Sequence, residues 1–211
     1  MMSMTPADRF PAADFDDWAE TYDDSVSADR FPFYGYQETL EKAVALAAVR
    51  PGMRVLDLGA GTGNLSMQFA KEGCELCCTD FSEAMLARAR QKLPAARFLL
   101  HDLRAALPPE FEGPFDRIVS AYVFHHFELD EKLHILQSLR EHLAPGGQMV
   151  IADIAFPGPV AIERMKASMG ADWEEEFYWI AEAAIPALEK AGFKVEYLQV
   201  SACAGIFLIR G

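Results

Sequence analysis

A turn with three glycines at alternate positions, Gly59, Gly61 and Gly63, constrains this chain more than any other feature of its sequence. The turn follows an apolar run that ends at Leu58, and an amphipathic pattern typical of a helix begins after it at Asn64. Glycine has no Cβ and adopts positive φ without strain, so such a turn can be tight and a ligand can lie directly on its main chain. The order of strand, glycine turn and helix predicts the first βα unit of a nucleotide-binding α/β sheet.

Strand and helix patterns alternate after this turn. Strands are predicted at 54–58, 74–79, 97–100, 116–120 and 148–154, and helices at 64–72, 82–92 and 130–143. A further helix at 185–192 precedes strands at 193–200 and 205–209, whose short separation indicates a hairpin with an antiparallel last strand. The sequence therefore predicts an α/β fold, a Rossmann-like doubly wound sheet of seven mostly parallel strands with helices on both faces.

Length and charge limit the class of protein. The 211 residues suit one domain, 1–211, and a net charge of −13 opposes binding to nucleic acid or to an anionic membrane surface. The N-terminus has no signal-peptide pattern, and no apolar segment is long enough to span a bilayer. Three of the four cysteines crowd positions 74–78, which suits a reducing compartment. We therefore expect a cytoplasmic protein, monomeric or homodimeric, that binds neither nucleic acid nor membranes.

Polar or glycine residues end four of the predicted strands. Asp57 and Gly59 end the first strand, Asp80 the second, and Ser120 the fourth, while Asp102 follows the third. The carboxyl ends of parallel strands meet at one edge of a sheet, where open α/β folds bind their ligands. A carboxylate at Asp80 can accept hydrogen bonds from both hydroxyls of a ribose, and one at Asp102 can accept from an adenine amine. The alternative for either aspartate is a helix N-cap or a turn.

The glycine spacing also bears on which nucleotide is bound. A dinucleotide oxidoreductase carries the motif G-x-G-x-x-G, whereas the spacing here is G-x-G-x-G, and no second pyrophosphate-binding element is recognisable. An NAD(P)-dependent oxidoreductase stays the alternative enzyme class. A protein that binds S-adenosylmethionine without catalysing a reaction is a third hypothesis.

The segment Asp57-Leu-Gly-Ala-Gly-Thr-Gly63 resembles the first motif of the class I S-adenosylmethionine-dependent methyltransferases. Asp80 matches the ribose-binding acid of that family, Asp102 matches its adenine-side acid, and the C-terminal hairpin matches its reversed last strand. The resemblance covers nearly the whole chain. It implies S-adenosylmethionine as cofactor and methyl transfer to a small-molecule acceptor by in-line displacement. The expected cofactor-binding residues are Tyr22, Asp57, Gly59, Ala60, Gly61, Asn64, Asp80, Phe81, Asp102, Leu103 and Ser120.

A narrower resemblance, to the YrrT-type methyltransferases of bacteria, rests on residues 15–24, 118–127 and 146–153. Asp57 and Asp80 stand where that group has glutamate, which keeps the hydrogen-bond acceptor and shortens its reach. The N-terminal segment of about 14–50, with helices predicted at 15–24 and 34–49, is expected to form a helical lid. The segment of about 156–180 is expected to cover the acceptor.

The candidate acceptor residues follow the fourth strand and lie in the two covering segments. His125 and His126 are the candidate catalytic residues, because histidine can accept a proton near neutral pH. Adjacent side chains point in different directions, so at most one is expected to face the cleft, and the alternative is that both serve packing. The candidate substrate-binding residues are Trp18, Tyr122, His125 and Tyr178. For Trp18 and Tyr22 the alternative is simple packing of an amphipathic helix.

The sequence predicts no metal site. Cys74, Cys77 and Cys78 include a C-x-x-C spacing, but no second pair exists and the segment is predicted to be a buried strand. The five histidines offer no i, i+4 pair with a carboxylate of the zinc-protease type.

Overall fold

The protein is built around a mostly parallel β-sheet. Its structure, a computed structural model, describes residues 10–111 and 113–211 except for the side chain of Glu110. The strands of the described part are β1 (Arg54–Leu58), β2 (Glu75–Asp80), β3 (Arg97–Leu100), β4 (Phe115–Ala121), β5 (Leu143–Phe156), β6 (Trp179–Ile180), β7 (Lys194–Gln199) and β8 (Ala204–Arg210). Their order is β3-β2-β1-β4-β5-β8-β7, with β6 beside β5. Because β8 runs antiparallel to β5 and β7, the predicted fold is confirmed, with the two-residue β6 as an addition.

Helices cover both faces of this sheet. They are α1 (Ala12–Trp18), α2 (Tyr22–Ser27), α3 (Tyr36–Ala47), α4 (Asn64–Lys71), α5 (Glu83–Lys92), α6 (Leu129–Leu139), α7 (Pro159–Met169) and α8 (Ala181–Lys190). Short 3-10 turns occupy Pro109–Phe111, Phe124–His126, Arg140–His142 and Gly170–Asp172. Among the described residues, no helix is both long enough and apolar enough to cross a membrane.

The strand register brings the predicted ligand-binding residues to one edge. Asp57 of β1 lies beside Val119 of β4, and Asp80 of β2 lies beside Leu100 of β3. The chain order reverses at β1, since β2 and β4 flank it on opposite sides. A crevice therefore opens beyond the carboxyl ends of these strands, at the place where open α/β sheets bind ligands.

The N-terminal helical segment differs from the prediction. The helix predicted at 15–24 is two helices, α1 and α2, separated by a turn in which the Thr21 amide donates to the Trp18 carbonyl at 3.0 Å. In α2, Asp23 accepts a hydrogen bond from the Thr62 hydroxyl at 2.6 Å. This long-range contact competes with the propensity of residues 15–24 to form one continuous helix. The apolar periodicity of the segment alone could not reveal such a contact.

The start of β5 also differs from the prediction. The helix predicted at 130–143 ends at Leu139, and β5 begins at Leu143 rather than at 148. Leu143 pairs with Phe115 of β4 before the register shifts, so the loop containing Pro145 forms an irregularity within the strand.

Three apolar clusters hold these layers together. Two of them fill the opposite faces of the sheet, around Phe124 and Leu136 on one side and around Leu40 and Phe69 on the other. The third is rich in aromatic side chains and lies at the carboxyl ends of the strands: Val26, Phe33, Tyr122, Ile154, Phe156, Tyr178, Cys203 and Ala204. The helices α1 and α2 thus pack over the crevice through Trp18, Tyr22 and Val26, whereas α3 packs on a face of the sheet.

Candidate active site

The glycine turn has the left-handed backbone that its sequence predicts. Gly59, Gly61 and Gly63 have φ values of +64°, +54° and +88°. A Cβ on Gly59 would lie 2.4 Å from Val123 Cγ2, whereas a Cβ on Gly61 would meet no atom of residues 10–111 or 113–211 within 4 Å. Gly59 is therefore required by close packing, and Gly61 leaves open space above the main chain.

Asp80 ties this turn to the second strand. One of its carboxylate oxygens accepts from the Gly61 amide at 2.8 Å, and the other accepts from the Ser82 amide at 2.9 Å. Burial raises the pKa of Asp80 to about 6, although these amide donors oppose the shift. The turn and its acid form one rigid unit that faces the crevice.

Asp57 is buried beneath the turn. Its Oδ2 accepts a hydrogen bond from the Ser66 hydroxyl at 2.5 Å, while its Oδ1 has no hydrogen-bond partner in the part of the chain that the structure describes. Burial, reinforced by the nearby charge of Asp80, raises the pKa of Asp57 to about 7. An unpaired buried acceptor of this kind is suited to a donor or a cation supplied by a ligand.

A cavity of about 800 Å³ occupies the crevice. It is lined by all but one of the residues predicted for the site: Trp18, Tyr22, Asp57, Gly59, Ala60, Gly61, Asn64, Asp80, Phe81, Asp102, Leu103, Tyr122, His125, His126 and Tyr178. The exception is Ser120, which is fully buried within β4 and donates its hydroxyl hydrogen bond to the Leu58 carbonyl at 2.8 Å. Strand pairing thus turns Ser120 toward β1 and away from the cavity.

Aromatic rings of the N-terminal segment form one wall of the cavity. The rings of Trp18 and Tyr22 pack edge to face with their centroids 4.8 Å apart, and the ring centroids of Tyr36 and Tyr122 are 5.0 Å apart. Burial raises the pKa of Tyr36 to about 12 and also raises that of Tyr22, so both phenols stay neutral. Sequence analysis did not identify Tyr36, because its side chain belongs to a helix pattern with an ordinary apolar face.

Polar contacts fasten the N-terminal segment to the glycine turn. The Asp23 carboxylate accepts from the Thr62 hydroxyl at 2.6 Å, from the Asn64 amide at 3.0 Å and from Lys92 Nζ at 2.6 Å. Asp16 accepts from the Ser82 hydroxyl at 2.5 Å, at the N-terminus of α5. Since these partners are 39 to 69 residues apart in the chain, no local motif could have indicated them.

A His–Asp pair lies at the far end of the cavity. Asp153 Oδ1 is 2.5 Å from His125 Nδ1, and Asp153 Oδ2 accepts from the His125 amide at 2.9 Å and from Trp179 Nε1 at 3.1 Å. Burial alone would lower the pKa of His125, but the carboxylates of Asp153 and Glu176 outweigh it and raise this pKa. The imidazole is thus oriented by a carboxylate, as in sites where a histidine exchanges a proton or binds a metal.

His126 stands beside His125, with ring centroids 4.0 Å apart. Both side chains line the cavity, so the expectation that at most one would face it is wrong. Both histidines belong to the 3-10 turn Phe124–His126, which directly follows the carboxyl end of β4. Burial lowers the pKa of His126 well below its ordinary value, so this imidazole is neutral at physiological pH.

Comparison with known proteins is consistent with this geometry. A family described as "Methyltransferase domain" matches residues 55–147. The uncharacterized methyltransferase GK2543 of Geobacillus kaustophilus is 33% identical over 202 residues, which cover 89% of this chain and 91% of that protein. The uncharacterized methyltransferase YrrT of Halobacillus halophilus is 26% identical over 199 residues, with 89% and 91% covered. The structure of a DhpI–SAH complex has a TM-score of 0.71 at 19% identity, covers 94% of each chain and shares the fold.

The chain belongs to the class I S-adenosylmethionine-dependent methyltransferases. This membership favours the methyltransferase over the dinucleotide oxidoreductase. It also accords with the narrower resemblance to the YrrT-type group.

Two further residues of the methyltransferase have partners that the sequence did not reveal. Asp102 accepts from the Arg104 amide at 2.9 Å and pairs with its guanidinium at 3.1 Å. The Tyr178 hydroxyl donates to the Glu174 carbonyl at 2.6 Å. Tyr178 is thereby fixed at the cavity wall, and both carboxylate oxygens of Asp102 accept hydrogen bonds from Arg104.

Proposed function

We propose that the chain transfers the methyl group of S-adenosylmethionine to a small-molecule acceptor that shares one cavity with the cofactor. The observation that carries this proposal is the continuity of the cavity, which extends from Gly61 and Asp80 to His125 and His126. Cofactor and acceptor can therefore meet without leaving the protein. The N-terminal segment of about 14–50 acts as a lid, and the segment of about 156–180 covers the acceptor.

The cofactor binds along the glycine turn. The Asp80 carboxylate accepts the ribose hydroxyls, and the adenine lies against Phe81 and Leu103 with its amine toward Asp102. The unpaired Asp57 Oδ1 receives the ammonium group of the methionine moiety, directly or through water. Ala60, Gly61 and Asn64 border the same moiety, and Tyr22 closes over it.

The charge of the cavity supports this assignment. Carboxylates outnumber guanidinium groups among the described lining residues, which include Asp14, Asp57, Asp80, Asp102, Asp172, Glu174 and Glu176 against Arg30 and Arg104. An acidic cavity favours a cationic sulfonium and disfavours a polyanionic acceptor such as nucleic acid. The enclosing aromatic rings limit the acceptor to a small molecule, which Trp18, Tyr122, His125 and Tyr178 contact.

The chemistry requires alignment more than activation. A lone pair of the acceptor forms a bond to the methyl carbon while the carbon–sulfur bond breaks, and its electrons stay on the sulfur of S-adenosylhomocysteine. Holding nucleophile, carbon and sulfur in line can lower the barrier by about 7–11 kcal/mol. His125 and His126 act at the acceptor's nucleophilic atom, where they control its protonation.

Calorimetric titration of the purified protein with S-adenosylmethionine, S-adenosylhomocysteine and NADH tests the cofactor assignment. We expect binding of the first two and none of NADH. Asp80→Ala weakens binding by about 1–3 kcal/mol, because the hydrogen bonds of a buried carboxylate are lost. An unchanged affinity in a folded Asp80→Ala variant contradicts the assignment of that residue.

Methyl transfer to a panel of small amines, alcohols, thiols and carboxylic acids, read as S-adenosylhomocysteine formed, tests the acceptor class. Turnover with at least one compound supports catalysis. Tight cofactor binding without turnover on any small acceptor, combined with turnover on a protein or nucleic acid, contradicts the small-molecule proposal.

A further inference from the structure

Three potential metal-ligating side chains converge at the acceptor end of the cavity. The ligand atoms of His125, His126 and Glu176 all lie within 4.8 Å of one another. Glu176 Oε2 is 3.4 Å from His125 Nε2 and 3.9 Å from His126 Nδ1. Two imidazoles and one carboxylate are a ligand set that divalent transition metals use at catalytic sites, with coordination positions left open.

The surrounding structure holds these ligands in place. Asp153 fixes the ring of His125 through Nδ1, which leaves Nε2 directed toward Glu176. The Phe177 amide donates to the His125 carbonyl at 3.0 Å, so the backbone next to Glu176 is bound to the histidine turn. A carboxylate behind a ligating histidine is the usual support of a metal site, because it orients the ring and increases its basicity.

His126 gives an independent indication. Its Nδ1 is buried and has no hydrogen-bond partner among the described residues. A protonated His125 between Asp153 and Glu176 would give both carboxylates a hydrogen-bond donor. It would still leave the Nδ1 of His126 without a hydrogen bond among the described residues. Buried nitrogens without partners are uncommon and often mark the place of an ion or a ligand.

Two described cationic side chains near this cluster, Arg104 and Lys132, contact other groups. Arg104 pairs with Asp102 at 3.1 Å and with Glu131 at 3.8 Å. Lys132 donates to the Phe177 carbonyl and lies 4.5 Å from the centre of the Trp179 ring. Neither contact occupies the space between the two histidines and Glu176.

We propose that His125 Nε2, His126 Nδ1 and Glu176 Oε2 bind a divalent first-row transition ion, with Zn²⁺ as the best match. Zinc ligands at about 2.0–2.2 Å in a tetrahedron lie about 3.4 Å apart. The separation of His125 Nε2 and Glu176 Oε2 equals this value, and His126 Nδ1, which lies 3.9 Å from Glu176 Oε2 and within 4.8 Å of His125 Nε2, must move closer to complete the set. Two imidazole ligands disfavour Mg²⁺, which prefers oxygen.

The role of the ion rests on the proposed function, although its binding does not. A hydroxyl, thiol or amine of the acceptor takes the open position, and the ion lowers the pKa of that group. The group releases its proton to water, and its lone pair then attacks the methyl carbon of the cofactor. The acidic cavity can accommodate this added positive charge next to the sulfonium.

Cobalt and zinc titrations of protein stripped with a chelator test the site directly. Co²⁺ binding is followed by its visible absorption, and Zn²⁺ binding by competition with a chromophoric chelator. We expect one ion per chain, a cobalt spectrum of nitrogen and oxygen ligands, and no saturable binding of Mg²⁺. His126→Asn and Glu176→Gln each weaken Co²⁺ and Zn²⁺ binding by about tenfold or more.

Matched controls keep this test decisive. His134→Gln removes an exposed histidine on α6 and leaves metal affinity unchanged. Each variant is also titrated with S-adenosylhomocysteine without metal, so that a folding defect or a failure of the cofactor assignment is seen separately. Absence of saturable binding to the native chain, wild-type affinity in both ligand variants, or a sulfur-to-cobalt charge-transfer band overturns the proposal.

Discussion

The two ends of the cavity are built in different ways. The proposed cofactor end uses residues 57–64 and 80–82, at the ends of two neighbouring strands and in the turns after them, and its central contacts are made by backbone amides. The proposed acceptor end assembles side chains from the N-terminal helices, the 3-10 turn Phe124–His126, Asp153 and the segment that contains Glu176. The first is a local backbone feature, and the second exists only when distant segments have packed.

This difference indicates which substitutions should disrupt each end of the cavity. A backbone cradle depends on conformations that only glycine adopts freely, so small side-chain additions there are expected to be costly. An assembled pocket depends on the contacts that dock its segments, and it can vary in chemistry without disturbing the sheet. Three predictions test the comparison, from the largest expected effect to the smallest.

The largest effect is expected from Gly61→Ala. A Cβ at Gly61 enters open space above the turn, so it should spare the fold but occupy the volume next to the cofactor. We expect S-adenosylhomocysteine binding to weaken by about 1–3 kcal/mol, as for overpacking of a fitted site. Gly52→Ala is the matched control, because its φ of +83° is also positive and its Cβ would likewise meet nothing within 4 Å.

Both glycine variants should lose similar unfolding free energy, about 1–2 kcal/mol for a left-handed alanine, measured by urea denaturation. Only Gly61→Ala should lose ligand affinity by calorimetry. Equal affinities in the two variants would mean that the cofactor does not approach the turn.

An intermediate effect is expected from pH. Burial raises the pKa of Asp80 to about 6, and the ionised carboxylate is the form that accepts both ribose hydroxyls. The contribution of Asp80 to S-adenosylhomocysteine affinity should therefore be full above this pKa and fall as pH decreases through it, by about tenfold at one unit below. Calorimetric titration between pH 8 and about pH 5 measures the slope.

Asp80→Asn separates this group from Asp57, whose pKa is raised to about 7 by burial. We expect the Asp80→Asn variant to bind S-adenosylhomocysteine more weakly at every pH. Its affinity should depend less steeply on pH, because only the titration of Asp57 then remains. Identical slopes in the two proteins would assign the pH dependence to another group.

The smallest effect is expected from Asp23→Ala, which releases the N-terminal segment from Thr62, Asn64 and Lys92. Because the ion pair is partly exposed, we expect a loss of only about 1 kcal/mol in unfolding free energy by urea denaturation. Asp24→Ala, an exposed neighbour on the same helix, should change little. If the two variants were equally stable, the contacts of Asp23 would not fasten the segment.

Sequence reasoning placed a residue correctly where its position follows from its neighbours in the chain. The glycine turn, Asp57 and Asp80 are set by strand ends and a turn, and the register of adjacent parallel strands then brings them together. Ser120 shows the limit of this reasoning, because a strand-end position does not reveal which way its hydroxyl points. In the structure that hydroxyl bonds to the Leu58 carbonyl.

The proposed metal site, which the sequence did not indicate, shows the same limit more sharply. The search for histidines at helical spacing could not detect consecutive histidines in a 3-10 turn that face a carboxylate about fifty positions away. In the sequence, Glu176 is only one of several acidic residues in the segment of about 156–180. Its proximity to the histidines depends on the hydrogen bond from the Phe177 amide to the His125 carbonyl, which no local sequence pattern encodes.

The sequence by itself determined the sheet, its reversed last strand and the glycine cradle, because apolar periodicity and glycine backbone preferences act over a few residues. Only the tertiary structure decided the acceptor end: the break between α1 and α2, the fastening of Asp23, and the meeting of His125, His126 and Glu176. Those features arise from contacts between segments far apart in the chain, and their free energy is gained only when the whole fold has formed.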